Sequence, residues 1–402
     1  MSKEIFTRLL HRFSHVDIPI VYNVNRVDES SYSKRALLVY LITPFRIEDN
    51  DPLYLFHQNL RRCKHIAAIL HELGYIVDVV DGRYQSFKAT GDYDLILSDR
   101  AEITSTRNGI KEDAIKIFIA TTDYHGKHNR SLRRRHDLLF GRRKYELPIR
   151  RVYSEDVPFV MNSDAIIGVG NQLSVGSWKE VFNGPIYSYN NCGYREIRGP
   201  SESKDFEFAK QRFLFFASAS QMQKGLDLLL EIFPQHPDLH LYVCSLFKME
   251  KDFCDCYYKE LYETPNIHPI GWVQVNSPQF YFLIDRCAYV ILPTCSEGQP
   301  GSVVHCMQAG LIPIVTAEAG IDTEDFGIKL SGDDIEVIES TVIELSQLPG
   351  DWHKEKSIIT NKAAQEKYCD QALIATWRNV LSQYNYPKVL RTVVNSEVNG
   401  GR

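Results

Sequence analysis

The hydrophobic rhythm of the chain predicts an α/β protein made of two doubly wound, Rossmann-like halves facing across a cleft. Three observations carry this. Short apolar runs of strand length alternate with amphipathic stretches from Ala36 to Tyr189. A polar stretch containing Gly199-Pro200 interrupts the rhythm, which restarts at Phe213. Asn266 to Gly320 then reads strand, turn, helix, strand, loop, helix, strand, the order of a parallel sheet.

Taken in order, Lys3 to Phe13 suits an amphipathic helix and Ile18 to Val24 a short edge strand. Ala36 to Thr43 is the first buried strand. Leu55 to Leu73 has helical periodicity, with Leu60, Cys63, Ile66, Ala67 and Leu70 on one stripe, and stops at Gly74. Strands follow at Tyr75 to Val80, Asp94 to Ser98, Ile115 to Thr121, Ala165 to Gly170 and Pro185 to Tyr189. Gly193 to Arg212 reads as an interdomain linker. In the second half, Phe213 to Ala217 and Leu239 to Cys244 are strands, and Gly225 to Phe233 is a helix. Cys287 to Pro293 and Leu311 to Thr316 are strands flanking a helix that ends at Gly310. Helices fill Ile335 to Leu345, Trp352 to Lys367 and Asp370 to Tyr384, and the tail from Val394 reads as disordered. The expected division is 1–195, a linker 196–212, a second domain 213–375, and a segment 376–402 whose helix crosses back to the first half.

Composition narrows the function. A chain of 402 residues with 44% hydrophobic and 24% charged residues is that of an ordinary globular protein. A net charge of -5 argues against a nucleic-acid partner. No apolar run is long enough to span a bilayer, and the first residues lack the apolar core of a signal peptide. Nine irregularly spaced cysteines suit reduced thiols, so the expected location is the cytoplasm.

Several motifs carry chemistry, each with a plainer reading beside it. Ser218-Ala-Ser220-Gln-Met-Gln-Lys224-Gly225 is a small-residue loop from a strand into a helix. Lys224 there reaches a diphosphate over the helix start, or is simply solvated. In Glu297-Gly298-Gln-Pro-Gly301-Ser302, a carboxylate stands beside free amides at Ser302 and Val303, which suits sugar hydroxyls and phosphate. The plainer reading is a turn whose Glu faces water. Asp92-Tyr-Asp94 precedes its strand and so reads as a strand entrance, not a metal site. Thr122 to Asn129 reads as a polar loop at a carboxyl edge, where a His or Asp serves as acid, base or sugar ligand, or is incidental. His57-Gln58-Asn59 is a helix entrance also suited to acceptor or phosphate. The basic run Arg130 to Arg151 is either a solvated face or a contact for an anionic membrane surface.

Lys224-Gly-Leu-Asp-Leu-Leu229, the turn Gly271-Trp272-Val273, Pro293-x-x-Ser296-Glu297-Gly298-x-Pro300 and Met307-x-Ala-Gly-Leu-Ile-Pro-Ile-Val315 together resemble the retaining GT-B glycosyltransferases of group 1, family 4. The resemblance covers about 213–320 well, and the first half only by its strand–helix rhythm. It implies sugar transfer from a nucleotide sugar, UDP- or GDP-linked, to a glycan or lipid-linked acceptor, with retention and without metal or other cofactor. By position it implies that Lys224 binds the diphosphate and Glu297 holds sugar hydroxyls. Ser218, Ser220, Gly298, Gly301, Ser302 and Val303 line sugar and phosphate, while Ser245, Trp272 and Val273 border the base. His125 is the first-half residue at the reacting sugar. Polysaccharide or glycolipid synthesis, in the cytoplasm or peripheral to the inner face of a membrane, follows as the expected setting. Two positions depart from the family. The second glutamate, which meets the donor ribose, is His305 here, and the usual arginine five residues before the lysine is Ala219. These departures keep two alternatives open: a catalytically degenerate GT-B partner protein, and a nucleotide-sugar epimerase.

Overall fold

A computed structural model describes residues 19–51, 54, 57–84, 86–194 and 196–385. The expected helix from Lys3 and the tail from Val394 lie outside them.

Two sheets organise the chain. The first holds seven strands: β1 (Ile20–Val21), β2 (Lys34–Tyr40), β3 (Tyr75–Asp81), β4 (Leu95–Ser98), β5 (Ile115–Ala120), β6 (Ala165–Val169) and β7 (Ile186–Tyr189). Their order is β1-β3-β2-β4-β5-β6-β7, with β1 antiparallel at the edge and the others parallel. The second sheet is wholly parallel, ordered β10-β9-β8-β11-β12-β13. Its strands are β8 (Arg212–Phe216), β9 (His240–Cys244), β10 (Ile267–Pro269), β11 (Tyr289–Leu292), β12 (Ile312–Val315) and β13 (Ile328–Lys329). The apolar runs became strands because helices cover both faces: β3, β4, β5 and β11 are buried along their whole length. The strand order reverses beside β2 in the first sheet and β8 in the second, so loops at the carboxyl edges diverge and leave room for a site.

The principal helices are α1 (Gln58–Glu72), α2 (His125–Arg143), α3 (Leu226–Ile232), α4 (Pro278–Arg286), α5 (Gly301–Gln308), α6 (Ile335–Gln347), α7 (Gly350–Lys367) and α8 (Asp370–Gln383). Helix α8 buries Leu373, Trp377, Val380 and Leu381 in the first half's core, with Trp377 edge-on to Tyr189.

Two expectations need correction. The stretch from Thr122 is not a loop through Asn129, because α2 starts at His125 and runs nineteen residues. It begins beside Tyr124 in the first half's core and delivers Leu139 into the second half's core. The stretch 193–212 joins the halves but is no loose polar tether. Tyr194, Ile197, Phe206 and Ala209 are buried, and the buried Lys204 ammonium donates to the carbonyls of Ile284 and Cys287 at 2.8 and 2.6 Å. None of the nine cysteines forms a disulfide.

Candidate active site at the seam between the halves

The carboxyl edges of the two sheets meet. From the second half come the loops after β8, β9, β11 and β12, and from the first half the loops after β5 and β6. The tightest approach is at Gly298, where an added Cβ would lie 2.3 Å from the Thr121 carbonyl oxygen. Across from it Gly170 has φ +121, and a Cβ there would lie 2.5 Å from the Gly298 carbonyl oxygen. Only residues without side chains let the backbones pass this closely.

Lys224 and Glu297 come together. Gly225, with φ +82, turns the chain into α3 directly under the Pro293 carbonyl, which leaves the preceding lysine at the carboxyl edge of the sheet. Its buried ammonium donates to the Glu297 carboxylate. Burial alone would raise the proton affinity of Glu297, but Lys224 and then Arg151 outweigh it and hold the carboxyl below its ordinary range. Glu297 is fixed from both sides: its amide donates to the Glu318 carbonyl at 3.0 Å, and Ser174 Oγ donates to its carbonyl at 2.8 Å. Helix α5 starts four residues on, but the Val303 amide expected to be free there donates to the Pro300 carbonyl at 3.1 Å.

The other expected residues fall around this centre. Ser245 Oγ donates to Gln221 Oε1 at 2.8 Å, and Gln221 Nε2 donates to the Ser218 carbonyl at 2.9 Å, which closes the loop after β8. Ser220 has φ +70, and its amide, with that of Gln221, donates to the Glu250 carboxylate. A carboxylate of the chain itself therefore caps amides that the sequence offers to phosphate. Val273 is buried and Trp272 is exposed at the rim. Gly301 abuts the Gln58 side chain, and His305, one turn deeper, lies 3.3 Å from Gln58 Nε2. His305 is thus directed at the first half, and burial pushes it down to about 3.

His125 does not reach this centre by any hydrogen bond. Its Nδ1 bonds the Ser154 carbonyl at 2.6 Å, and its ring stacks on Tyr153 at 4.8 Å. The imidazole that crosses the seam is His128, one helical turn on. Its Nε2 faces the Arg151 carbonyl at 2.9 Å and its Nδ1 faces Ser296 Oγ at 2.8 Å. Ser296 Oγ is also 2.8 Å from Asp123 Oδ2. The partner at Nε2 is a carbonyl, so that nitrogen carries a hydrogen. The Ser296 hydroxyl donates to the Asp123 carboxylate, which Lys127 also meets at 3.4 Å. Burial pushes the Asp123 carboxyl up to about 6 and pulls His128 down to about 4. Asp123 and His128 belong to a stretch visible in the sequence, but only their spacing on a helix, with Ser296 across the seam, sets them apart from His125.

Much of the basic run is spent in ion pairs, most of them across this seam. Arg135, fully buried, meets Asp227 and Asp333 at 3.5 and 2.7 Å. Arg142 and Arg143 pair with Asp227, Glu231 and Glu260, and Arg150 with Asp252 at 2.7 Å. Arg130 and Arg134 pair with Glu180 and Asp333. Arg133, Lys144 and Arg151 of the run are exposed and form no ion pair among the described residues. Among the described residues no helix is long and apolar enough to cross a membrane. Asp94 at the amino edge accepts the Arg35 amide at 2.9 Å, as befits a strand entrance. A cavity of about 260 Å³ lies away from Lys224, lined by Gly193, Gln308, Gln365, Cys369, Asp370 and Gln371.

Two doubly wound halves meeting at their carboxyl edges have the GT-B fold. Residues 210–347, within the second half, match the family described as glycosyl transferases group 1. Among solved structures, sucrose-phosphate synthase from Thermosynechococcus elongatus aligns with a TM-score of 0.59 at 11% identity, covering 88% of this chain and 99% of that one. HepE of Anabaena, in complex with UDP and glucose, gives 0.53 at 11% identity over 88% and 99%. At such identity these relatives establish the fold. The chain spans about half the length of TarM from S. aureus, covering 54% of it with a TM-score of 0.49 at 12% identity. No curated protein sequence matches the chain.

Proposed function

We propose that the protein is a retaining, metal-independent glycosyltransferase that moves a sugar from a UDP- or GDP-linked donor to a glycan or lipid-linked acceptor. One observation carries this: the Lys224 ammonium and Glu297 carboxylate are joined at the start of α5, where the two halves meet. In transfer, the bond between the anomeric carbon and the diphosphate oxygen breaks and the acceptor oxygen bonds that carbon. The acceptor's proton passes to the departing diphosphate. Lys224, released from Glu297 by the donor, neutralises the diphosphate, and Glu297 turns its oxygens to the sugar hydroxyls. Ser302, Val303 and Gly298 line the sugar and phosphate, and Ser245, Trp272 and Val273 border the base. From the first half, His128 and Asp123 stand against Ser296, the residue before Glu297, with His125 one helical turn before His128.

The test is transfer from a panel of UDP- and GDP-sugars to glycan and lipid-linked acceptors. Lys224→Ala and Glu297→Ala should each lower the rate about a hundredfold or more, the scale of losing one charge-stabilising group. Unchanged rates in both would defeat the assignment. A second reading has support in His305, committed to Gln58, and in Glu250, seated on the Ser220 amide. It is a partner protein that binds nucleotide without turnover, and nucleotide binding with no transfer to any acceptor would favour it.

A further inference from the structure

We propose that Arg151, brought from the first half, is the second cation that meets the donor diphosphate, standing where the loop after β8 offers only Ala219. The inference rests on the donor reading of Lys224 and Glu297. Along the basic run, Arg130, Arg134, Arg135, Arg142, Arg143 and Arg150 each lie within reach of a carboxylate. Among the described residues Arg151 makes no ion pair; it is exposed and has a 3.5 Å contact to Tyr153 Oη.

Two contacts place it. Its neighbour Arg150 reaches the Glu250 carboxylate at 3.7 Å, and that carboxylate holds the amides of Ser220 and Gln221. The segment 150–151 therefore runs alongside the loop that contains Ala219. On the other side, His128 Nε2 donates to the Arg151 carbonyl while His128 Nδ1 reaches Ser296, the residue before Glu297. Arg151 also has φ +60, a conformation that a non-glycine residue keeps only when its surroundings enforce it. The carboxylate that acts most strongly on its guanidinium is Glu297. Lys224 and Arg151 thus flank one carboxylate from opposite halves, which leaves one positive charge unneutralised at the start of α5. A diphosphate completes that set of charges, and a guanidinium can grip it with two donors. Because Arg151 belongs to the first half, this cation is in place only when the halves are closed.

The experiment is calorimetric titration of the full chain with UDP, GDP, uridine and guanosine. Variants are Arg151→Ala, Arg151→Lys and Arg151→Asn, the last tolerating a left-handed backbone. The expected result is about ten- to hundredfold weaker binding of the preferred diphosphate in Arg151→Ala and Arg151→Asn. Arg151→Lys should recover part of it, nucleoside affinity should not change, and the melting temperature should stay within error. If the parent protein binds UDP or GDP and all three variants bind it equally, Arg151 is not the cation, while the donor site stands. If the parent binds neither diphosphate, both fall. Equal weakening of nucleoside and diphosphate would also overturn the assignment, since the loss would then lie in the base or the fold.

Discussion

The two halves approach their common seam with opposite charge. The first brings cations and imidazoles: Arg135, Arg142, Arg143, Arg150, Arg151 and His128. The second brings carboxylates: Asp227, Glu231, Glu250, Asp252, Glu260 and Asp333. Neither set has its counter-charge on its own half, so each half alone would expose an uncompensated patch and together they cancel. A charge run that looks like a solvated face can thus be one side of an internal interface. The contrast also grades by depth. Arg135 is wholly buried, whereas Arg130 and Arg134 are exposed.

That gradient can be broken from its strongest point. Arg135→Ala leaves Asp227 and Asp333 facing each other in a buried site, and should cost about 3–5 kcal/mol in urea unfolding. A loss below about 1 kcal/mol would mean that the seam is not held there. Gly298→Ala drives a methyl group against the Thr121 carbonyl, so the halves must part. Stability should drop by about 1–3 kcal/mol, and small-angle scattering should report a larger radius. His305 sharpens the comparison through pH. Its depressed value means that its share of stability is whole above about 6.5 and is lost as pH falls toward 3. By pH 5 about 2 kcal/mol of that share is already lost, so His305→Gln should flatten the acid limb of the stability profile. Asp123 works the other way: its value is raised from 3.8 to about 6, so its favourable share is whole below 3.8 and is lost as pH rises through about 6. At the exposed end, Arg130→Ala should change stability by less than about 1 kcal/mol, because its pair with Glu180 is solvated.

Much of the fold was legible because the buried strands are apolar on both faces. β2, β3, β8 and β11 stand out without any partner in view. Helix α2 was not legible, for a specific reason. Its buried stripe is Leu132, Arg135 and Leu139, and the central arginine breaks the apolar pattern. Its partners Asp227 and Asp333 lie 92 and 198 residues away, so no local window contains the information. The stretch around Lys204 was misread as a linker for the same reason: a charged residue buried on carbonyls of α4 looks, in sequence, like a charged residue in water. Within the site, Lys224 and Glu297 were readable because each sits in a strand–loop–helix segment whose small residues announce the turn. The Gln58–His305 contact and the Asp123–Ser296–His128 array were not, since each joins segments from different halves.

Helix α8 has a consequence for synthesis. Trp377 and Leu381 fill the core of a sheet whose last strand ends at Tyr189, so the first half is finished by residues translated only after the second half's sheet. While the second half is still being made, the newborn first half carries an apolar hollow where Trp377 belongs. Such a surface invites chaperones and misassembly during the interval. The chain that emerges first is among the last to settle, and both halves should reach their final form in one late step.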